Sequence, residues 1–293
     1  MSTDYGVLDK LELTVLVEDY AGYDSGLLAQ HGVSFYLEVS NEVGRKTILF
    51  DTGQSAETVL NNMKLLGKDP DGIDYVILSH CHYDHTGGLI GILEECPKKP
   101  LPVLAHPNLF RPNFSLEPAL RSVGMKPGDS REAVEKAGGE LFLTAEPFPL
   151  MAGVLTTGEI KEKVDFESAL TYDSRTIDNG QIVYDSMIDD VSLILILRQG
   201  LVVVSGCSHA GIISIINAAV RLTGINRVHA VIGGFHLIEA DKERIVQTTN
   251  ALSDLETAQI YTGHCTGFAA EAQMFGQLGE RFHKLRTGLK IYL

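Results

Sequence analysis

Three histidines and an aspartate crowd into six positions of this chain, His80-Cys81-His82-Tyr83-Asp84-His85, directly after the apolar run Tyr75-Val76-Ile77-Leu78-Ser79. The run has the length of a strand, and Thr86 with the pair Gly87-Gly88 opens a helical pattern beyond it. A strand end holds the backbone rigid while the side chains converge. Near-extended backbone sends His80 and His82 to one side and Cys81 to the other. Asp84 and His85, past the bend, are then free to face a second ion. Neutral imidazole and carboxylate suit Zn, Mn and Fe. Cys81, a soft ligand by its chemistry, is expected to point into the core. The chain has ten histidines in 293 residues, so three within six positions is far above a chance density.

This motif, with Gly87-Gly88 following, resembles the H-x-H-x-D-H signature of the metallo-β-lactamase superfamily. Upstream, Thr47-Ile48-Leu49-Phe50-Asp51-Thr52-Gly53 is similar to the strand and D-T-G turn that the superfamily carries before its metal loop. Downstream, Gly206, Cys207, His209 and His264 extend the resemblance over most of the chain. It implies an α/β protein, a four-layer αβ/βα sandwich with a two-metal site at the edge of its sheets. One domain would span residues 1–293, with an N-terminal half to about 150 and a C-terminal half from about 185. Irregular loops are expected at 107–140 and 160–185.

The chain departs from the superfamily pattern twice. In Val154-Leu155-Thr156-Thr157-Gly158-Glu159-Ile160, Glu159 stands where the resemblance expects a histidine. It reads equally as a carboxylate ligand, a group behind the ligands or a polar turn residue. Where a G-D pair usually supplies a bridging aspartate, this chain has Gly206-Cys207, with His209 two residues later. His209, at a strand-to-helix loop, is the expected ligand and could replace the missing histidine. Cys207 is read as a bridging thiolate or a redox-sensitive pocket residue. His236 follows Gly233-Gly234 at a strand end, as a proton donor or a ligand. His264 ends another strand in Thr262-Gly263-His264-Cys265 and is expected to bind metal.

The remaining pattern fills in a sheet protein. Leu11–Asp19, Gly32–Val39 and Lys46–Phe50 read as strands, the last two as a hairpin. Ser55 to Leu66 has helical spacing, stopped by Gly67. Asp51 is either a turn former or a group that orients a metal-binding histidine. His106 and His229 read as structural. Asn108, Phe110, Arg111, Asn113 and Phe114 could belong to a lid, and Lys161, Lys163 and Arg175 either form a solvated surface or steer an anion to the metals. Two apolar runs around Gly200 form a buried hairpin, and helices follow at Ile212–Leu222 and Asp241–Leu255. Residues 289–293 read as an edge strand.

Composition narrows the function. At 44% hydrophobic and 21% charged residues, the chain can bury a large core. A net charge of −14 argues against nucleic acid as a partner, because a phosphate backbone needs clustered Lys and Arg. No apolar run reaches membrane-spanning length, and the first residues show no secretory pattern. The four cysteines lack CxxC spacing, which speaks against a disulfide framework. A cytoplasmic protein is expected, as a monomer or a homo-oligomer.

The histidines and Asp84 together imply two divalent ions, Zn first, Mn or Fe otherwise. Two ions roughly 3.5–4 Å apart make a hydroxide at neutral pH and neutralise a developing oxyanion. Asp84, as the catalytic carboxylate, would orient that hydroxide or shuttle its proton. The expected activity is metal-dependent hydrolysis of a phosphoester, a lactone or a related, anionic small molecule. Within the superfamily the motif set resembles the 7,8-dihydropterin-6-methyl-4-(β-D-ribofuranosyl)aminobenzene-5′-phosphate synthases. That resemblance implies a second reading, condensation of a pterin diphosphate with an aryl ribose phosphate and release of pyrophosphate. A non-catalytic metal or ligand-sensing module is the third. A flavodiiron-like role fits less well, since such proteins carry a glutamate where this chain has His82.

Overall fold

The computed structural model describes residues 5–255 and 259–293. Residues 1–4, on which the reading of the leader partly rests, lie outside them. Two seven-stranded sheets face each other. The first runs Lys290–Tyr292, Lys10–Val17, Ser34–Asn41, Gly44–Phe50, Tyr75–Ile77, Leu101–Ala105, Gly139–Leu143. The second runs Phe282–Lys284, Gln259–Gly263, Val228–Gly234, Gly200–Val204, Leu193–Leu197, Val154–Thr156, Pro149–Met151.

Strand alternation builds the layers. Ile48 and Phe50 of the first sheet and Leu193 and Leu195 of the second pack into the core between the sheets. Their neighbours Leu49 and Ile194 point the other way, each under helices. Leu49 meets Val59 and Met63 of the helix Ala56–Leu66, and Ile194 meets Ile212 and Ile216 of Ile212–Thr223. Strands buried on both faces explain the continuous apolar runs. The result is helix, sheet, sheet, helix, as the resemblance implied. Ser55 caps its helix by accepting from the Thr58 amide, and Gly67 closes it at φ 68°.

The parallel strands place the chemistry. Gly44–Phe50, Tyr75–Ile77 and Leu101–Ala105 run parallel in the first sheet, and Gly200–Val204, Val228–Gly234 and Gln259–Gly263 in the second. Their carboxyl ends meet at one edge of the sandwich, the usual place for a site in such sheets. Asp51, His80, Cys207, His236 and His264 all follow those strand ends.

The final strand, Lys290–Tyr292, is an edge strand as expected, and it crosses back to pair with Lys10–Val17 of the first sheet. Two features depart from the sequence reading. The loops at 107–140 and 160–185 hold a further four-stranded sheet, Gln181–Tyr184, Arg175–Asp178, Phe114–Ser115 and Arg121–Ser122. A helix at Phe268–Leu278, which sequence reasoning did not identify, covers the second sheet with Ala270 and Met274 buried. Among the described residues no helix is long and apolar enough to cross a membrane.

Candidate metal centre

The centre is organised by one buried carboxylate. Asp51, fully buried at φ 60°, accepts hydrogen bonds from the Ser79 amide at 2.7 Å, the Ser79 hydroxyl at 2.7 Å and His85 Nδ1 at 2.6 Å. Of the two roles open to it from sequence, the orienting one matches this geometry. The Ser79 proton is committed to Asp51, so Ser79 Oγ must accept from His80 Nδ1, 2.8 Å away. Asp51 thus fixes two imidazoles, His85 directly and His80 through Ser79. Both carry hydrogen on Nδ1 and turn Nε2 inward. His264 is held the same way, its Nδ1 3.0 Å from Asp19 Oδ1 and its amide donating to Glu18 Oε1 at 2.6 Å. Tyr172 OH lies 3.1 Å from His209 Nδ1. Outer partners of this kind are what a ligating histidine needs.

The inward atoms form two adjoining groups. In one, Asp84 Oδ2 lies 3.2 Å from His85 Nε2 and 3.3 Å from His264 Nε2. In the other, His80 Nε2 lies 3.2 Å from His209 Nε2, with the His82 ring 4.6 and 4.8 Å from theirs. Cys207 Sγ stands between the groups, 3.0 Å from His85 Nε2 and 3.3 Å from His264 Nε2, and it also falls within reach of His80 and His209. Nitrogen, oxygen and sulfur donors that converge in this way fit a pair of cations.

Electrostatics separates the two groups. Burial holds His80 and His209 well below the ordinary imidazole range and His82 down to about 4, so all three stand neutral and ready to ligate. Burial also opposes charge on His85, but the Asp84 and Asp51 carboxylates outweigh it and lift His85 to about 10. His264 is likewise raised against burial, by the neighbouring Cys265 first and then by Asp19 and Asp84. Without a cation the Asp84 group is therefore held together by protons. Metal entering there must displace them.

Backbone strain collects at the same place. Asp51, Ser208, His236 and His264 are non-glycine residues at φ between 45° and 60°, a costly conformation that concentrates at functional sites.

The structure thus brings together His80, His82, Asp84, His85, Cys207, His209 and His264, with His236 beside them, its ring 4.4 Å from that of His209. His209 stands against His80 and His82. Glu159 is not among these groups. Its carboxylate lies 3.9 Å from His106 Nε2, and it lines a separate hollow with Lys161, Lys163 and Asp190. The Thr157-Gly158-Glu159 turn ends an outer strand of its sheet, and Gly158 packs there against Ala145 and Glu146. Cys81 is buried in the core, as anticipated.

A cavity of about 870 Å³ opens over the centre. The expected lid residues Arg111 and Asn113 do not line it. They turn inward instead, Arg111 to Asp185 at 2.6 Å and Asp189 at 2.7 Å, and Asn113 to Asp185 at 2.8 Å. Arg175 pairs with Asp173 at 2.6 Å and lies over the Tyr184 ring. Arg121 is the cation that the lining does contain. Sequence reasoning also missed Asp19, His31 and Tyr172. His31 sits at the mouth, its Nε2 3.6 Å from Asp84 Oδ2 and its Nδ1 3.2 Å from Asp19. The three are isolated in sequence and belong to no local motif. Only the acidic pair Glu18-Asp19 at a strand end offered a signal.

The model of the metallo-beta-lactamase superfamily matches residues 31–159. A 7,8-dihydropterin-6-methyl-4-(beta-D-ribofuranosyl)-aminobenzene-5'-phosphate synthase from Methanocaldococcus jannaschii is 46% identical over 290 residues, 98% of each chain. A crystal structure called a metal-dependent hydrolase of the beta-lactamase superfamily superposes with a TM-score of 0.79 at 26% identity, over 97% of this chain and 99% of that one. Zn(2+)-bound PqqB from Methylobacterium extorquens shares the fold alone, with a TM-score of 0.56 at 13% identity over 96% of this chain and 100% of its own. The chain belongs to the metallo-β-lactamase superfamily.

Proposed function

We propose that this protein is a metal-dependent enzyme that joins two anionic small molecules, a dihydropterin diphosphate and an aryl ribose phosphate, with loss of pyrophosphate. The observation that carries this reading is the 46% identity to the synthase across 98% of both chains, on a centre with donors for two ions. The cavity, at about 870 Å³, lies near the top of the range for small-molecule sites, with room for two substrates.

His80, His82 and His209 would hold one ion and Asp84, His85 and His264 the other, with Cys207 between them. Zinc is the first choice for this nitrogen-rich set, manganese or iron the alternatives. Bound metal would supply a Lewis acid to a departing diphosphate, or a hydroxide for hydrolysis. Asp84 stands at the cavity floor between two imidazoles, placed to orient a nucleophile or accept its proton. The four free, buried cysteines suit a reducing compartment such as the cytoplasm. Hydrolysis by the same centre is the second reading, favoured by the name of the 26% identical structure.

Turnover of the metal-loaded protein separates the readings. Pyrophosphate released only when both substrates are present supports the synthase. Release of a hydrolysed pterin without the acceptor supports the hydrolase. Inertness toward both, and toward phosphoester and lactone panels, would sink the enzyme reading.

Arg121 is the proposed anion contact. It is exposed, lines the cavity, and makes no ion pair among the described residues. Arg121→Gln is expected to raise KM for a phosphate-bearing substrate about tenfold, the effect of losing roughly 1.4 kcal/mol. Metal content should stay unchanged. An unaltered KM would remove Arg121 from the substrate site.

A further inference from the structure

Two thiols and an imidazole at the cavity wall are left over once the histidine and aspartate donors are assigned. Cys207 Sγ, a ring nitrogen of His236 and Cys265 Sγ lie within 4.8 Å of one another, and all three residues line the cavity. Both ring nitrogens of His236 are shielded from solvent, yet neither makes a hydrogen bond. His236 is half-buried, and shielded ring nitrogens without a partner are costly unless something else uses the lone pair. Cys265 Sγ makes a long contact to the Cys207 carbonyl, at 3.7 Å, and faces the Cys207 and His236 side chains.

The local backbone is shaped around these atoms. A Cβ at Gly234 would lie 2.5 Å from Cys265 Sγ, so glycine there makes room for the thiol. Gly233, at φ 138°, passes so close to Ser205 that a Cβ would meet its carbonyl oxygen at 2.1 Å. His236 itself is held at φ 45°, a strained setting for a residue that would otherwise do no more than pack.

We propose that Cys207, His236 and Cys265 form a third metal position, selective for a thiophilic cation, that shares the Cys207 sulfur with the binuclear group. The donor chemistry differs from that of its neighbour. Two sulfurs and one nitrogen make a soft set, suited to zinc, cadmium or monovalent copper, whereas the group containing Asp84 also accepts harder ions. Zinc–sulfur bonds of about 2.3 Å put two sulfurs of a tetrahedron roughly 3.8 Å apart, a spacing the cluster accommodates. A thiolate has lone pairs enough to bridge. The fourth position would open to the cavity, where a substrate atom or water could fill it. The inference rests on the placement of the binuclear group, not on its chemistry.

Cadmium titration of the full chain tests it, with ions counted per chain and thiolate-to-cadmium charge transfer followed in the ultraviolet. About three ions are expected, falling to about two in Cys265→Ser and in His236→Ala. Cys265→Ser should also lose roughly half of the charge-transfer intensity, because Cys207 remains. Circular dichroism would confirm that both variants fold. Unchanged stoichiometry and intensity in Cys265→Ser would overturn the third position and leave the binuclear reading standing. His80→Ala is the separate control. It should lose a cation and keep the Cys265-dependent signal, and if its loading does not fall the binuclear reading itself fails.

Discussion

Asp84→Ala is expected to lower turnover by about a thousandfold or more while leaving the fold intact. The size follows from the place of its Oδ2, between His85 Nε2 at 3.2 Å and His264 Nε2 at 3.3 Å, with His31 Nε2 at 3.6 Å on the cavity side. No other described carboxylate belongs to that donor group. Its removal takes away a ligand and the group best placed to orient a nucleophile. The fold should survive because the side-chain partners of Asp84 are the imidazoles of His31, His85 and His264, while the three apolar cores are built from other residues. His85 and His264, deprived of one carboxylate, can shed protons rather than unfold the edge of the sheets. Metal analysis and turnover measured together check this. A variant with full metal and more than a tenth of the parent rate would remove Asp84 from the mechanism.

The part of this site that was legible in the sequence is the part written locally. His80 to His85 share one strand end, so residue spacing alone told which side chains could converge. The layers were legible for a related reason: alternation along Gly44–Phe50 and the continuous runs at Leu193–Leu197 and Gly200–Val204 follow directly from burial. What could not be read was pairing over long separations. The alternating Lys290–Tyr292 segment announces a strand, but nothing in it says that it joins Lys10–Val17 across the sandwich. Glu159 drew attention by its position in a motif, yet that turn ends at a neighbouring hollow, and the third imidazole comes with His209 from another strand.

The cations show the same limit. Lys161 and Lys163 looked placed to steer an anion because they follow a motif turn, but they flank the hollow beside Glu159. Arg121 lies in a proline-punctuated stretch whose strands are two residues long, too short for any periodicity. Asp19 and Tyr172 hold His264 and His209 from positions 245 and 37 residues away, and no window of local sequence contains such a pair.

Gly206→Ala is expected to disturb both donor groups of the centre through a single methyl group. A Cβ at Gly206 would lie 2.2 Å from Ser79 Oγ, 2.8 Å from Ser79 Cβ and 2.8 Å from Asp51 Oδ2. These are not flexible ends that can swing aside. Ser79 and Asp51 are fully buried, and each is already fixed by short hydrogen bonds. The only escape moves the hydroxyl off His80 Nδ1 or the carboxylate off His85 Nδ1, and those two histidines belong to different donor groups. One added carbon therefore loosens both ion positions at once. Metal affinity should drop about 10- to 100-fold, the usual cost of losing outer-shell support, with overpacking lowering stability by about 1–3 kcal/mol. Gly276→Ala is the matched control, since its Cβ would meet nothing within 4 Å in the helix Phe268–Leu278. Adding Ser79→Ala to Gly206→Ala removes the closest clash, so the pair should cost less than the sum of the single changes. Equal metal affinity in Gly206→Ala and Gly276→Ala would show that the Asp51, Ser79 and His80 relay does not set how the centre holds its ions.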